Sequence, residues 1–597
     1  MKKRTPLIAA LAVALALAGC ADGGGSDAAA GVAEGTSAAA ADSSSSSEIG
    51  EESSSITPSD ETVAATTENS DDHASSADYE YASGNVVAIA LGDTVVLESS
   101  AVTVSDGTVS ITAAGTYELS GSLSDGQVVV EAGDSDLIQL ILNGVSITNS
   151  DGPAIAVTSA DTAVVIVADG STNTLSDGSS YVLAEGEDEP NATLYSKTDL
   201  TITGEGSLTI NGNYNDGIGA KDGLVIETGN LTVNAVDDGI RGKDYIVING
   251  GTIEVTSGGD ALKSDNAEDG TKGYIEVNAG TITVNAQGDG ISAETDVLIN
   301  GGQFDITTTG SLATTSAKGI KGLVSVIIDG GTFVIDSYDD AVHSNDTIII
   351  NGGEFTIATG DDGMHADAGL EVSNATILIT ESYEGLESAV ITINSGDIEI
   401  HSDDDGINVA GGQDGSGGGA RPGRGGGGDQ FAVNSSYRLV INGGTIVIYA
   451  QGDGLDSNGT AVMNGGVAVV HGPTANNNGA IDAGSFDVTD GLLIAVGSSG
   501  MAEGVTSSTG QGTIQASLNG SQPGGTIIHI ESDSGDSMLT FESAKEFASI
   551  VFTSPDLERG ITYNVYFGGT ASGDEIGGMY DAAGYSGGEL VGSLAAG

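Results

Sequence analysis

Asp237-Asp238-Gly239-Ile240-Arg241-Gly242-Lys243-Asp244 is the stretch to which this chain keeps returning. Its pattern of acid, Asp, small residue and aliphatic residue recurs at 215–218, 259–262 and 288–291. It continues at 339–342, 361–364, 383–386, 404–407 and 452–455. Counted from the small residue, the steps 217 to 239 to 261 are 22 and 22, and those from 341 through 363 and 385 to 406 are 22, 22 and 21. A fixed period of this size is the signature of a solenoid, in which each repeat is one supersecondary unit stacked on the next.

A second motif keeps the same rhythm. Val247-Ile248-Asn249-Gly250-Gly251-Thr252-Ile253-Glu254-Val255 returns at 298–302, 327–331, 349–353 and 440–448. Both flanks are short runs of Val, Ile and Thr alternating with period two, which predicts strands. The Gly-Gly between them supplies positive φ at a corner. Each repeat therefore reads as strand, glycine corner, strand, acidic corner, short strand. The expected fold is all-β: a right-handed parallel β-helix with coils of about 22 residues, spaced about 4.8 Å apart. The asparagines before the glycines are expected to stack as a ladder.

The ends follow a different logic. Lys2, Lys3 and Arg4 precede an apolar run at 7–18, too short to span a bilayer as a helix. It ends in Leu17-Ala18-Gly19-Cys20, which resembles a bacterial lipobox, so residues 1–20 are expected to be a lipoprotein signal with Cys20 acylated. This implies a chain anchored to the cell membrane by its N-terminal lipid alone and facing outward. Cys20 is the sole cysteine, which excludes intrachain disulfides and cysteine metal sites. Residues 21–84 hold Ala, Ser, Gly, Asp and Glu with little to bury, the composition of a disordered, self-repelling tether. The β-helix is expected over 85–500, interrupted by a Gly-rich loop at 411–429 that carries Arg421 and Arg424. Residues 501–597, where the repeat degrades, are expected to form terminal coils and a β cap.

The motifs at 186–192, 211–218, 237–244 and 262–266 together resemble the bacterial carbohydrate-binding domain family. These are calcium-containing parallel β-helix proteins, distantly similar to family 9 polysaccharide lyases. The resemblance covers roughly residues 85–570. It implies polysaccharide binding, with Ca2+ as cofactor.

Charge narrows the partners. With 85 acidic against 16 basic residues the formal net charge is −69, which excludes nucleic acid and anionic lipid as direct partners. It also poses a problem, because a β-helix stacks the acidic corners into columns. Like charges at coil spacing cost roughly 1 kcal/mol per pair in water and more when partly buried. Clustered carboxylates and carbonyls suit Ca2+, which takes 6–8 oxygen ligands. Sparse histidine and the lone cysteine argue against zinc. The candidate ligands are Asp237 and Asp238 beside Asp260 and Asp265, then Asp289 and Asp296. Further along come Asp339, Asp340 and Asp346, stacked with Asp361, Asp362 and Asp367 and then with Glu384 and Glu387.

The leading expectation is a monomeric, non-catalytic binder in which calcium bridges protein carboxylates to an acidic glycan such as polygalacturonate. The chain has no Trp to stack neutral sugars; tyrosines such as Tyr214, Tyr245, Tyr274 and Tyr338 read first as packing residues. One alternative is a calcium-dependent pectate lyase. The lyases it resembles use a lysine base, and Lys221, Lys243 and Lys263 each follow an acidic corner, expected as one stacked file, with Arg241 placed to clamp a carboxylate. Neighbouring carboxylates, however, raise a lysine pKa rather than lower it. The other alternative is a surface scaffold or adhesin that binds no sugar.

Overall fold

The computed structural model describes residue 73 and residues 75–92, 99–183, 186, 188–310, 316–410, 435–580 and 584–597. The 1–20 leader with Cys20, most of the 21–84 tether and the 411–429 loop lie outside the described residues.

One coil shows how the rest is built. Ile240–Gly242, Tyr245–Ile248 and Thr252–Ser257 pair in parallel with Leu262–Ser264, Tyr274–Val277 and Thr281–Ala286 of the next coil. Repetition makes three faces, called here short, middle and long after their strands. The register is strict, with Ile240 on Leu262, Tyr245 on Tyr274 and Thr252 on Thr281. The expected parallel solenoid is thus present over the central chain. One antiparallel hairpin, Val102–Ser105 with Thr108–Ile111, sits near its start.

Period-two alternation decides what goes inside. Along Thr252–Ser257 every second residue is buried, so Ile253 and Val255 face the core while Thr252 and Glu254 face solvent. Because register preserves parity, inward positions stack on inward positions. Ile253 lies over Ile282, Phe304, Phe333 and Phe355 in turn. The three phenyl rings lie nearly parallel, 4.7 and 4.5 Å apart between centroids. Each such side chain contributes about 1.5–3 kcal/mol by leaving water.

The corners close as the local chemistry requires. The second glycine of each Asn-Gly-Gly has positive φ, 98° at Gly251 and 122° at Gly302, a conformation a side chain would strain. The asparagines form the expected ladder. Asn278 donates to Asn249 Oδ1 at 2.9 Å, Asn300 to Asn278 Oδ1 at 2.6 Å, and Asn464 to Asn442 Oδ1 at 3.0 Å. An amide both donates and accepts, so identical residues repeated once per coil satisfy one another.

Beyond the repeats, Phe547–Ser554 pairs antiparallel with Leu492–Gly497 and Gly512–Gln522. Ile527–Glu531, Ser537–Glu542, Thr562–Phe567 and Glu589–Ala595 belong to a separate six-stranded sheet with antiparallel pairing. That sheet buries Ile528, Phe541 and Val565 in one cluster with Val447, Val469 and Ile494 of the long face. The terminal strands therefore cover a flank of the solenoid.

Candidate functional site

The residue just before the small one of each acidic corner forms a file of Asp216, Asp238, Asp260, Asp289, Lys318, Asp340, Asp362, Glu384, Asp405 and Asp453. Its geometry repeats. Asp238 Oδ1 accepts the backbone N–H of Asp260 at 2.9 Å, Asp260 Oδ1 that of Asp289 at 2.7 Å, and Asp289 Oδ1 that of Lys318 at 2.8 Å. Asp362 and Glu384 donate to Asp340 and Asp362 in the same way, each at 3.2 Å. One carboxylate oxygen is therefore spent on the next coil. The other is free to meet the side chain three residues on.

Those side chains form a second file on the short face. Strand register aligns Arg241, Lys263, Ser292, Lys321, His343, His365, Glu387, Asn408 and Asp456. The file is cationic toward the N-terminal side and acidic toward the C-terminal side. Lys263 Nζ lies 3.1 Å from Asp238 Oδ2 and 3.0 Å from Asp260 Oδ2. Lys321 meets Asp289 Oδ2 at 3.2 Å. His343 Nδ1 meets Asp340 Oδ2 at 2.8 Å, and His365 Nδ1 meets Asp362 Oδ2 at 3.2 Å. Lys318 stands within the acidic file itself, its Nζ 2.5 Å from the fully buried Asp340 Oδ2 and 3.4 Å from Asp339.

This register corrects the expected lysine file. Lys263 aligns with Arg241, not with Lys221 or Lys243. Lys221 pairs instead with Glu189, and Lys243 with Glu268 at 3.8 Å. Arg241 holds Asp265 at 2.6 Å. The reason is offset: Lys263 comes two residues after its small residue, whereas Lys221 and Lys243 come four after theirs.

The candidate ligands fall into three groups. Asp238, Asp260, Asp265 and Asp289 are spanned by Lys263, Arg241 and Lys321, and Asp237 is exposed. Asp296 lies on the middle face, where its Oδ1 accepts Ser325 Oγ at 2.5 Å, and so leaves the expected stack. Asp346 joins none of the ligand clusters found among the described residues. Those clusters, each with ligand atoms within 4.8 Å, are Asp339–Asp340–Asp361, Asp340–His343–His365, Asp362–His365–Glu387 and Asp405–Asp453–Asp456. Two of these clusters contain histidine, a residue type too sparse in the chain to be among the expected ligands. The signal that would have found His343 and His365 is Asp340-Ala341-Val342-His343, repeated as Asp362-Gly363-Met364-His365.

Electrostatics follow burial and neighbours. Burial opposes the Lys263 charge, but Asp260 and Asp238 outweigh it and raise its pKa. Burial and Asp238 push the Asp216 carboxyl up to about 7. Glu384 and Asp405 are raised well above the ordinary range by burial and by neighbouring carboxylates, and Asp453 reaches about 6 by the same causes. Asn408 Nδ2 donates to Glu384 Oε2 at 2.7 Å. Mutual repulsion is therefore greatest where the second file has turned acidic.

The tyrosines are largely engaged. Tyr214 stacks on Tyr181 with centroids 4.2 Å apart, and His73 covers Tyr245 at 4.3 Å. Tyr274 is 1% exposed.

Fold and files together define a parallel β-helix carrying a carboxylate spine on one face. Residues 105–363 match the family described as carbohydrate-binding domain-containing protein. A relative of the same description from Acetivibrio thermocellus is 39% identical over 133 residues, 22% of this chain and 46% of the relative. The chain thus spans about half the length of the curated relative it matches. Among solved structures, the gadolinium derivative of a polysaccharide lyase-like protein from C. thermocellum is 36% identical. That similarity covers 39% of this chain and 94% of the other, with a TM-score of 0.37.

Proposed function

We propose that this chain is a calcium-dependent, non-catalytic binder of polysaccharide, with an acidic glycan such as polygalacturonate as its partner. The observation that carries the reading is the family match over 105–363, a segment that contains most of the carboxylate spine. A strongly anionic protein needs a bridging cation to hold an anionic glycan, and Ca2+ accepts oxygen donors from both. Asp405, Asp453 and Asp456 form the oxygen-only cluster best suited to it, since Asp339 and Asp340 already contact Lys318. On this reading the N-terminal lipid on Cys20 displays a monomer at the cell surface.

A lyase is less well supported. A lysine base must lose its proton near neutral pH, and Lys263, held between two carboxylates, keeps it more firmly than a free lysine.

The test is retention of residues 85–597 on immobilised polygalacturonate, with Ca2+ and with EDTA, while ultraviolet absorbance is followed. Retention in Ca2+ alone without new absorbance is the expected result. Rising absorbance from unsaturated uronides would replace binder with lyase. No retention in either buffer would leave a scaffold or a different glycan.

A further inference from the structure

We propose that Asp362, His365 and Glu387 form a binding site for a divalent transition cation of the zinc class, distinct from any calcium site on the spine. The three donors are fixed by the backbone. Asp362 and His365 lie three residues apart around one corner, and Glu387 occupies the position in register with His365 on the next coil. All three belong to stacked coils of the parallel scaffold, and sites built on strands hold their geometry better than sites on loops.

The cluster is closed off from solvent. Asp362 and His365 are each 1% exposed and Glu387 is 2% exposed. His365 Nδ1 lies 3.2 Å from Asp362 Oδ2 and 3.4 Å from Glu387 Oε2. Two ligands on a zinc tetrahedron with bonds of ~2.0 Å stand ~3.3 Å apart. The two edges that meet at His365 Nδ1 therefore already match such a polyhedron, and the two carboxylate oxygens lie within 4.8 Å of each other.

The other ring nitrogen supplies a second observation. His365 Nε2 is buried without a hydrogen-bond partner, and Asp367 Oδ1 stands 3.6 Å from it. A metal-bound histidine characteristically directs its second N–H at a carboxylate, which fixes its tautomer and orientation. Asp367 is placed to be that carboxylate. His343, on the preceding coil, has no such spare nitrogen: Nδ1 faces Asp340 at 2.8 Å and Nε2 faces Asn345 Oδ1 at 2.9 Å.

Donor chemistry separates this site from calcium. An imidazole with two carboxylates favours borderline cations such as Zn2+ or Co2+, whereas Ca2+ takes oxygen donors almost exclusively.

The test is titration of the EDTA-dialysed full chain with Co2+ in the presence of excess Ca2+, read by visible absorption. A tetrahedral cobalt band that saturates at one cation per chain and is bleached by Zn2+ but not by further Ca2+ is expected. His365→Gln should abolish the band, while His343→Gln should keep it. Asp367→Asn, at a partly exposed position, should weaken Co2+ binding roughly tenfold with the melting temperature unchanged, so the test survives if His365→Gln does not fold. Absence of a band, or a band that persists in folded His365→Gln, would overturn the proposal and leave His365 as an imidazolium bridging two acids.

Discussion

Lys263 reaches back across the coil boundary to Asp238, its Nζ 3.1 Å from Oδ2, and also holds Asp260 of its own coil at 3.0 Å. A single ammonium thereby offsets the repulsion that stacking would impose on two carboxylates. The cationic part of the second file does for the first half of the spine what a bound cation would have to do elsewhere.

Lys263→Met should leave both carboxylates without their counter-charge, Asp238 being 9% and Asp260 17% exposed at the side chain. Partial solvent access limits the loss to about 1–3 kcal/mol. The urea midpoint should fall, and Lys263→Arg should recover most of it because Arg241 occupies the same file one coil earlier.

Gly239 is small because of packing. A Cβ there would meet Val255 Cγ1 at 2.3 Å and the Ala261 carbonyl oxygen at 2.7 Å. Gly239→Ala should cost about 1–3 kcal/mol by overpacking. Adding Val255→Ala should recover part of that loss, a coupling that a double-mutant cycle of melting curves would read.

The docking of the terminal sheet should depend on pH through His471. Its ring lies between Tyr449 and Phe541, at centroid distances of 4.6 and 5.2 Å. Nε2 donates to the Gly577 carbonyl at 3.0 Å and Nδ1 accepts the Ala544 N–H at 3.1 Å, which selects the neutral ring. Burial pulls its pKa down from 6.5 to about 4. The unfolded chain therefore binds the proton first, and stability present above pH 6.5 should fall as pH drops toward 4, by about 1.4 kcal/mol per unit. Melting of wild type against His471→Phe at pH 8 and pH 4.5 isolates this contribution, which should vanish in the variant.

Asp405 and Asp453 offer a test in which stability and function move oppositely. Asp405 Oδ1 accepts the Asp453 backbone N–H at 2.5 Å, and an asparagine oxygen can accept the same bond. Asp405→Asn with Asp453→Asn should raise the melting temperature in EDTA by relieving like-charge repulsion. The same pair should lose calcium-dependent retention on polygalacturonate and any melting shift caused by Ca2+. Equal calcium shifts in wild type and variant would move the calcium reading away from this cluster.

Much of the scaffold was legible because its code is local. Asn249-Gly250-Gly251 carries both the ladder amide and the positive-φ corner, and Ile253 and Val255 announce an inward parity by alternation alone. The acidic file was legible for the same reason. Its partners were not. Successive corners lie 22 residues apart between Asp238 and Asp260, but 29 apart between Asp260 and Asp289 and again between Asp289 and Lys318. Unequal coils hide alignment, and Lys318, occupying an acid's place, breaks the motif that marks the file.

The amino-acid sequence by itself determined the repeat, the strand parity and the charge of the spine, since each depends on residues a few positions apart. Only the tertiary structure decided which cation faces which carboxylate. Lys263 meets Asp238, and His365 meets Glu387, because backbone hydrogen bonding between coils sets their register; that pairing acts across whole coils whose lengths differ.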